Sequence, residues 1–217
     1  GGAGDDRISF FMRAATQGVM TSLMTQTIDN DGFGNAETMV SIEGLGAGTA
    51  FADHFTGDDN ANSLLGGFDD TIIANGGDDR FQLDGAPALL DGGAGNDTIT
   101  AFTGDQFGML VPDEDEDGLA EFVLATQGVH VDLGQGMIVD DGFGNSGSLV
   151  SVENVGGSEI DDILIGDGGA NQLSGLGGDD LLEGAGGSDT LDGGAGIDTA
   201  SYEHNVGAVD VNLGVGL

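Results

Sequence analysis

The chain has 217 residues, of which 44 are glycine and 39 are aspartate or glutamate, against only 3 lysines and arginines. Its formal charge of −36 excludes nucleic acid and anionic membrane surfaces as expected partners, because both carry negative charge themselves. The absence of cysteine excludes disulfides, thiolate metal sites and a cysteine nucleophile.

The first part of the chain combines one short repeat with an irregular segment. Residues 1–9 read GGAGDDRIS, and residues 10–47 show no regular period. Alternating apolar residues such as Val40 and Ile42 predict short β-strands in this segment, with a turn at Gly32 and Gly34. The oxygen-rich sequence DNDGFGN at 29–35 lacks the aspartate spacing of a metal loop, so we favour a tight turn over a metal site there.

A nine-residue period begins at residue 48. Asp53 and Asn62 stand at the sixth place of the first two units, and a one-residue deletion near Phe68 then shifts the frame. After this shift the sixth places are Asp70, Asp79, Ala88 and Asp97. The unit LDGAPALLD at 83–91 has therefore lost a polar residue at Ala88, but it keeps the apolar residue of the eighth place.

Residues 101–156 repeat the irregular half at an offset of 110 residues, with one insertion, VPDEDEDGLAEF, at 111–122. Within the insertion Asp113, Asp115 and Asp117 precede a glycine, which resembles the first half of an EF-hand-like calcium loop. The glutamate expected at the twelfth place is absent, because Leu124 stands there. A calcium site and a solvated acidic loop both remain open for this segment.

Residues 157–201 contain five uninterrupted units of nine. Each has a polar residue at the sixth place and an apolar residue two places later, and the sixth places are Asp162, Asn171, Asp180, Asp189 and Asp198. Glycine-rich turns direct carbonyl oxygens inwards and aspartate adds a carboxylate, which together form the hard oxygen donor set that calcium prefers. The strict period argues against disorder, although metal-free turns capped by the same aspartates remain the alternative. Two units give one coil of eighteen residues, with a turn and a short strand on each edge.

The units GGAGIDTAS (193–201), GGAGNDTIT (92–100) and GGAGDDRIS (1–9) resemble the haemolysin-type, or RTX, calcium-binding nonapeptide repeat. The resemblance implies an all-β, right-handed parallel β-roll or β-helix solenoid, with each calcium ion between turns one coil apart. It pairs Asp79 with Asp97, and it stacks Asp162, Asp180 and Asp198 with two ions between them. The pair of Asn171 and Asp189 is expected to be weaker, and Asp70, which faces Ala88, is expected to be poor.

The expected calcium ligands combine the carboxylates or amide of the sixth places, carbonyls of turn glycines, and the acidic insertion. They are Asp6, Asp53, Asp70, Asp79, Asp97, Asp113, Asp115, Asp117, Asp162, Asn171, Gly175, Gly177, Asp180, Gly184, Gly186, Asp189, Gly193, Gly194, Gly196 and Asp198.

The duplication predicts three units. The first covers 1–100, with nonapeptide 1–9, irregular β-structure at 10–47 and nonapeptides at 48–100. The second covers 101–201, with irregular β-structure at 101–156 and nonapeptides at 157–201, and a further unit begins at 202–217. Because a repeat already starts at residue 1, we expect a segment of a longer protein whose neighbouring repeats, or further copies on a cell surface, are its partners.

Function follows from the repeats and the family resemblance. No nucleophile, zinc or phosphate-binding motif is present, so we expect no enzymatic activity in this segment. No apolar run reaches the ~18 residues of a membrane span. The resemblance implies a secreted or cell-surface protein, exported by type I secretion, that folds on binding several calcium ions and belongs to an adhesin or surface-layer component. The alternative is a calcium-binding accessory region of a secreted enzyme or toxin.

Overall fold

The computed structural model describes residues 1–10, 15–46, 49–83, 85–102, 109–111, 121–123 and 127–205. This part of the chain contains strands and turns but no helix, and therefore no helix that could cross a membrane. The strands are β1 (Arg7–Ser9), β2 (Val19–Ser22), β3 (Thr27–Asp31), β4 (Glu37–Thr38), β5 (Gly44–Gly46), β6 (His54–Thr56), β7 (Ser63–Gly66), β8 (Thr71–Ile73), β9 (Arg80–Leu83), β10 (Leu89–Asp91), β11 (Thr98–Phe102), β12 (Met109–Val111), β13 (Glu121–Val123), β14 (His130–Asp132), β15 (Met137–Asp140), β16 (Gly147–Val150), β17 (Asn154–Gly156), β18 (Ile163–Ile165), β19 (Gln172–Ser174), β20 (Leu181–Glu183), β21 (Thr190–Asp192) and β22 (Thr199–Ala200).

Two long sheets contain all of these strands except the antiparallel pair β12 and β13. One sheet has eight strands in the order β1-β5-β7-β9-β11-β17-β19-β21. The other has twelve, in the order β22-β20-β18-β14-β15-β16-β10-β8-β6-β2-β3-β4. Within the nonapeptide blocks, successive strands alternate between the two sheets and pair in parallel with the strand one coil away. This is the parallel β-roll that the resemblance to the nonapeptide repeat family implies, while the handedness of the coil stays a prediction.

The register confirms the eighteen-residue coil. Leu164 pairs with Leu182, and Leu182 pairs with Ala200, each eighteen residues further along. Where the sequence predicts a deletion, the offset falls to seventeen, as in the pairing of Phe55 with Ile72. The turn between the strands thus absorbs the missing residue, and the strands keep their pairing.

The core is a single apolar cluster, to which the nonapeptide blocks contribute mainly the residues of the eighth place and the irregular halves contribute residues such as Val19 and Ile138. Phe55, Ile72, Phe81, Leu90 and Leu164 are each 0% exposed. Because a strand of three residues points only its central side chain inwards, one apolar residue in nine suffices to fill each layer.

The two irregular halves fold into three-stranded antiparallel meanders, β2-β3-β4 and β14-β15-β16. The second meander joins the two nonapeptide blocks, since β16 pairs in parallel with β10 and β14 pairs in parallel with β18. In the eight-stranded sheet the blocks meet directly, where β11 pairs with β17. One continuous edge of turns therefore runs along the eight-stranded sheet past both blocks.

Candidate metal centre

A ladder of acidic and amide side chains follows the edge of the eight-stranded sheet. Each member stands directly before a strand, and several accept a hydrogen bond from the backbone N–H of the ladder residue one coil earlier. Asp79 Oδ1 accepts from Asn62 N at 2.7 Å, Asp97 Oδ1 from Asp79 N at 2.9 Å, and Asp189 Oδ1 from Asn171 N at 3.0 Å. The predicted pairs Asp79–Asp97 and Asn171–Asp189 are thus adjacent in the structure.

A second ladder follows the opposite edge, before the strands of the twelve-stranded sheet. Asp180 Oδ1 accepts from Asp162 N at 2.8 Å, and Asp198 Oδ1 accepts from Asp180 N at 3.1 Å. The predicted stack of these three aspartates is confirmed as a spatial arrangement. Asp70 continues the pattern in the first block by accepting from Asp53 N at 2.9 Å.

The second oxygen of the ladder residue divides the turns into two kinds. In what we term capped turns, this oxygen, or the single amide oxygen of an asparagine, accepts an N–H of its own turn. Asp53 accepts from Thr49 N at 2.6 Å, and Asp162 accepts from Ser158 N at 2.6 Å. The capped turns end at Asp6, Asp53, Asn62, Asp70, Asp162 and Asn171. The oxygen that caps each of these turns is thus satisfied without a metal ion.

The remaining kind, which we term open turns, leaves the second carboxylate oxygen without a hydrogen-bond donor among the described residues. In three of these turns that oxygen, Oδ2 of Asp79, Asp97 and Asp180, is also buried, and these residues are at most 2% exposed. A buried carboxylate oxygen without a partner is costly, and native structures pair such an oxygen with a proton, a water or a cation.

Backbone conformation explains why these turns stay open. Their second residue lies in the left-handed region, with φ of 77° at Asn75, 91° at Gly93 and 75° at Leu176. The carbonyls of Asn75 and Leu176 accept the N–H of Ala94 and Ala195 from the next coil, at 2.8 and 2.9 Å. The turn therefore bonds to its neighbour, and its own second N–H is not donated to the carboxylate.

Open turns stack on one another at one place in each nonapeptide block. The turn 74–79 lies beside 92–97 through a parallel bridge of Gly76 with Ala94, and the turn 175–180 lies beside 193–198 through Gly177 with Ala195. A Cβ on Gly175 would collide with Oδ2 of Asp180 and would lie 2.6 Å from the carbonyl oxygen of Gly193. Glycine thus keeps clear a space that a carboxylate and a carbonyl of the next coil both border.

The electrostatics of the ladder favour a cation. Burial raises the pKa of Asp79 to about 7 and that of Asp162 to about 6. Burial also raises the pKa of Asp97 and Asp180, and neighbouring carboxylates contribute to both shifts. Since burial and like charges both disfavour the ionised form, a bound divalent ion would relieve the same penalty as a proton.

The donor set is suited to calcium. Across the described ranges, no three carboxylate or imidazole side chains converge on one point. An ion at the stacked open turns would therefore take its further ligands from main-chain carbonyls, which the glycine-rich turns supply. Six to eight oxygen donors in a flexible arrangement suit calcium better than magnesium. The residues that would hold the ions are Asp79 and Asp97 in the first block, and Asp180 and Asp198 in the second.

The other expected ligands occupy varied positions. The turn of Gly184, Gly186 and Asp189 stacks on a capped turn, where Gly186 N donates to the carbonyl of Asp167 at 2.8 Å. The side chain of Asn171 is engaged on both sides, because its Nδ2 donates to the carbonyl of Glu153 at 2.9 Å. Gly193, Gly194 and Gly196 belong to the open turn 193–198. Asp113, Asp115 and Asp117 lie outside the described residues.

Two glutamates of the ladder were missed by the sequence reasoning. Glu43 Oε2 accepts from Asp6 N at 3.0 Å, and Glu153 Oε2 accepts from Asp97 N at 2.8 Å, as an aspartate does elsewhere. Counting eighteen residues back from Asn171 reaches Glu153, so the period itself contained this signal. The signal is obscured because the segment before Glu153 does not follow the nine-residue period.

The unit that has Ala88 at its sixth place lies beside the second meander instead of beside another nonapeptide turn. Ser148 N lies 3.4 Å from the carbonyl oxygen of Ala88, and Ala86 N donates to Asp141 Oδ2 at 2.9 Å. A Cβ on Gly147 would collide with the carbonyl of Pro87. A metal-binding turn has no stacking partner at this position, which accounts for the departure from the repeat.

The first DGFGN segment is a tight turn, as predicted, and the second copy at 141–145 forms the same turn. Asp31 Oδ1 accepts from Phe33 N at 2.9 Å and from Asn35 N at 3.0 Å. Asp141 Oδ1 makes the same two bonds to Phe143 and Asn145. The carboxylates close the turns on themselves, and the open alternative of a metal site there has no support in this geometry.

Comparison with known proteins identifies the repeats. The family model described as the RTX calcium-binding nonapeptide repeat matches in 4 copies, over residues 66–85, 89–105 and 165–200. A search of curated proteins finds no match to the chain. The matched segments include the stacked open turns of both blocks. RTX nonapeptide repeats bind several calcium ions per repeat region. The matched segments are therefore RTX calcium-binding nonapeptide repeats, which form a structural rather than catalytic region typical of secreted proteins.

Proposed function

We propose that this chain is a structural element of an extracellular or cell-surface protein, exported by type I secretion, whose coils assemble around calcium ions. The observation that carries the proposal is the set of buried, unpaired Oδ2 atoms of Asp79, Asp97 and Asp180. The family is one of secreted proteins, and outside the cell calcium is far more abundant than inside it.

The carboxylates, the turn glycines and the apolar layer would each contribute differently to this calcium-dependent assembly. Asp79 with Asp97, and Asp180 with Asp198, supply carboxylates to the ions, and the glycine turns supply carbonyl oxygens. A bound calcium ion would contribute positive charge and would be coordinated by all of these oxygens at once. The apolar layer of Phe81, Leu164 and Leu182 then stacks only when adjacent coils are held in register. Metal binding free energy would thereby become folding free energy.

The parent protein is proposed to be an adhesin or surface-layer component. The support is the 110-residue offset between the two irregular halves, which indicates a tandem array of similar units. In such an array neighbouring units would stack as β11 stacks on β17 within this chain. A catalytic or pore-forming domain in the parent would instead indicate the accessory region of an enzyme or toxin.

Isothermal titration calorimetry with calcium and with magnesium tests the proposed calcium binding. Because the candidate ligands are carboxylates and carbonyls in flexible turns, we expect calcium to bind at least tenfold more tightly than magnesium. Equal affinities for the two ions would contradict the assignment of the turns, and an absence of calcium binding would refute the proposal as a whole.

A further inference from the structure

Each irregular half ends in a turn of three residues, whereas the turns between nonapeptide strands have six. In the nonapeptide coils, Gly175 N donates to the carbonyl of Asp192, the residue before the six-residue turn 193–198. In the second junction Gly92 N donates in the same way to Val150, and only Ser151, Val152 and Glu153 separate it from the next strand, β17. We term Ser151–Val152–Glu153 the junction turn. Glutamate is one methylene longer than aspartate, so it reaches Asp97 N from the shorter turn.

The junction turn directs a main-chain carbonyl at an unpaired carboxylate. Ser151 has a φ of 50°, an uncommon value for a residue other than glycine. A Cβ built on Gly92 would collide with the carbonyl oxygen of Ser151 and would lie 2.7 Å from Asp97 Oδ2. Both oxygens therefore border the same small space above Gly92. Asp97 is 0% exposed, and this Oδ2 has no hydrogen-bond donor in the described part of the chain.

Two oxygens with partial or full negative charge repel each other across such a space unless a cation or a proton lies between them. Glu153 brings a second carboxylate close to Asp97, since its Oε2 accepts the backbone N–H of Asp97 at 2.8 Å. A carbonyl and two carboxylates are hard donors, which suit calcium, and water can complete the coordination.

We propose that the junction turn forms a further calcium site, with Asp97, Glu153 and the Ser151 carbonyl as its protein ligands. The site differs from a pair of stacked glycine-rich turns, because one side is a three-residue turn from the irregular half. It would link the first nonapeptide block to the second through the meander junction. The inference rests on the proposed calcium binding of the repeats.

The first junction offers an internal control. Ser41, Ile42 and Glu43 form the same short turn, Ser41 has a φ of 51°, and Glu43 Oε2 accepts from Asp6 N. There, however, Asp6 Oδ2 accepts the N–H of Gly2, so this carboxylate is capped. The first junction therefore lacks the unpaired oxygen that indicates an ion in the second.

The test compares Glu153→Gln with Glu43→Gln by equilibrium dialysis against radioactive calcium, with circular dichroism confirming the fold at saturating calcium. Glutamine keeps an oxygen that accepts the aspartate N–H, but it removes the charge. We expect Glu153→Gln to bind one calcium ion fewer per chain than the wild type, and Glu43→Gln to bind the wild-type number. An unchanged count for Glu153→Gln would overturn the junction site.

A measurement on the wild-type chain makes the result independent of the folding of any variant. Crystals grown in calcium should show anomalous scattering between Asp97 Oδ2 and the Ser151 carbonyl oxygen. Calcium at the stacked open turns without a peak at the junction would overturn this inference and leave the proposed function intact. A wild-type chain that binds no calcium would refute both.

Discussion

The same residue at the same place of the repeat performs two different tasks in this chain. Asp162 and Asp180 both stand at the sixth place and are both buried. Asp162 accepts the N–H and the hydroxyl of Ser158, whereas Asp180 keeps an unpaired Oδ2. The difference arises at the second residue of the turn, because Leu176 adopts a positive φ of 75°. A ladder of identical aspartates therefore contains both structural caps and candidate ligands.

This distinction predicts different outcomes for Asp180→Asn and Asp70→Asn. Asp180→Asn removes charge from an open turn, so it should lower the number of bound calcium ions and raise the calcium concentration needed for folding. A charge-assisted contact is worth about 1.5–3 kcal/mol, which corresponds to a shift of about tenfold or more.

Asp70 is the matched control because its oxygens accept from Asp53 N and Gly67 N. Asp70→Asn should leave the calcium count unchanged and lower stability by about 1–3 kcal/mol in urea at saturating calcium, since one N–H would face an amide donor. The resemblance, which places Asp70 opposite Ala88, predicts only that Asp70 is a poor metal site. Loss of an ion in Asp70→Asn would contradict the division into capped and open turns.

At the scale of elements, each coil depends on one inward apolar residue per strand. Leu182 is 3% exposed and is paired on both sides, with Leu164 and Ala200 as its neighbours in the sheet. Leu191 occupies the same place in β21 but is only partly buried against the core. The strands are too short to hold register by hydrogen bonds alone, so the apolar layer must contribute much of the stacking energy.

Leu182→Ala should therefore destabilise the chain by about 2–5 kcal/mol, as expected for truncation of a buried leucine. Leu191→Ala should cost less, because part of its side chain already contacts solvent. Urea unfolding of both variants at saturating calcium measures the difference. Equal losses would indicate that the layer of Leu164, Leu182 and Ala200 does not carry the stacking.

Much of the arrangement of elements could be predicted from the sequence. The period of nine predicts the eighteen-residue register, and the lost residue near Phe68 predicts the seventeen-residue offset between Phe55 and Ile72. The role of Glu153 is readable only by counting eighteen residues back from Asn171, because the three-residue turn before Glu153 breaks the count of nine from the other side. Which aspartates are capped depends on backbone φ at residues such as Leu176, and leucine carries no local signal for a left-handed conformation.

For the whole molecule, charge and packing oppose each other. A formal charge of −36 with 3 basic residues disfavours any compact state. The roll nevertheless buries Asp79, Asp97, Asp162 and Asp180, each at most 2% exposed. Capped turns reduce this cost for some of them by donating N–H groups, but the open turns leave it in place. Calcium is the component that would make the compact form favourable.

The central claim, that the chain folds on binding calcium, is tested most directly by far-UV circular dichroism in chelator and then in millimolar calcium. In chelator we expect the spectrum of a disordered chain, because unpaired buried carboxylates and net charge outweigh the burial of the apolar layer. A β-sheet spectrum should appear on adding calcium and should disappear again when the ion is removed. The same β-sheet content with and without chelator would contradict the account.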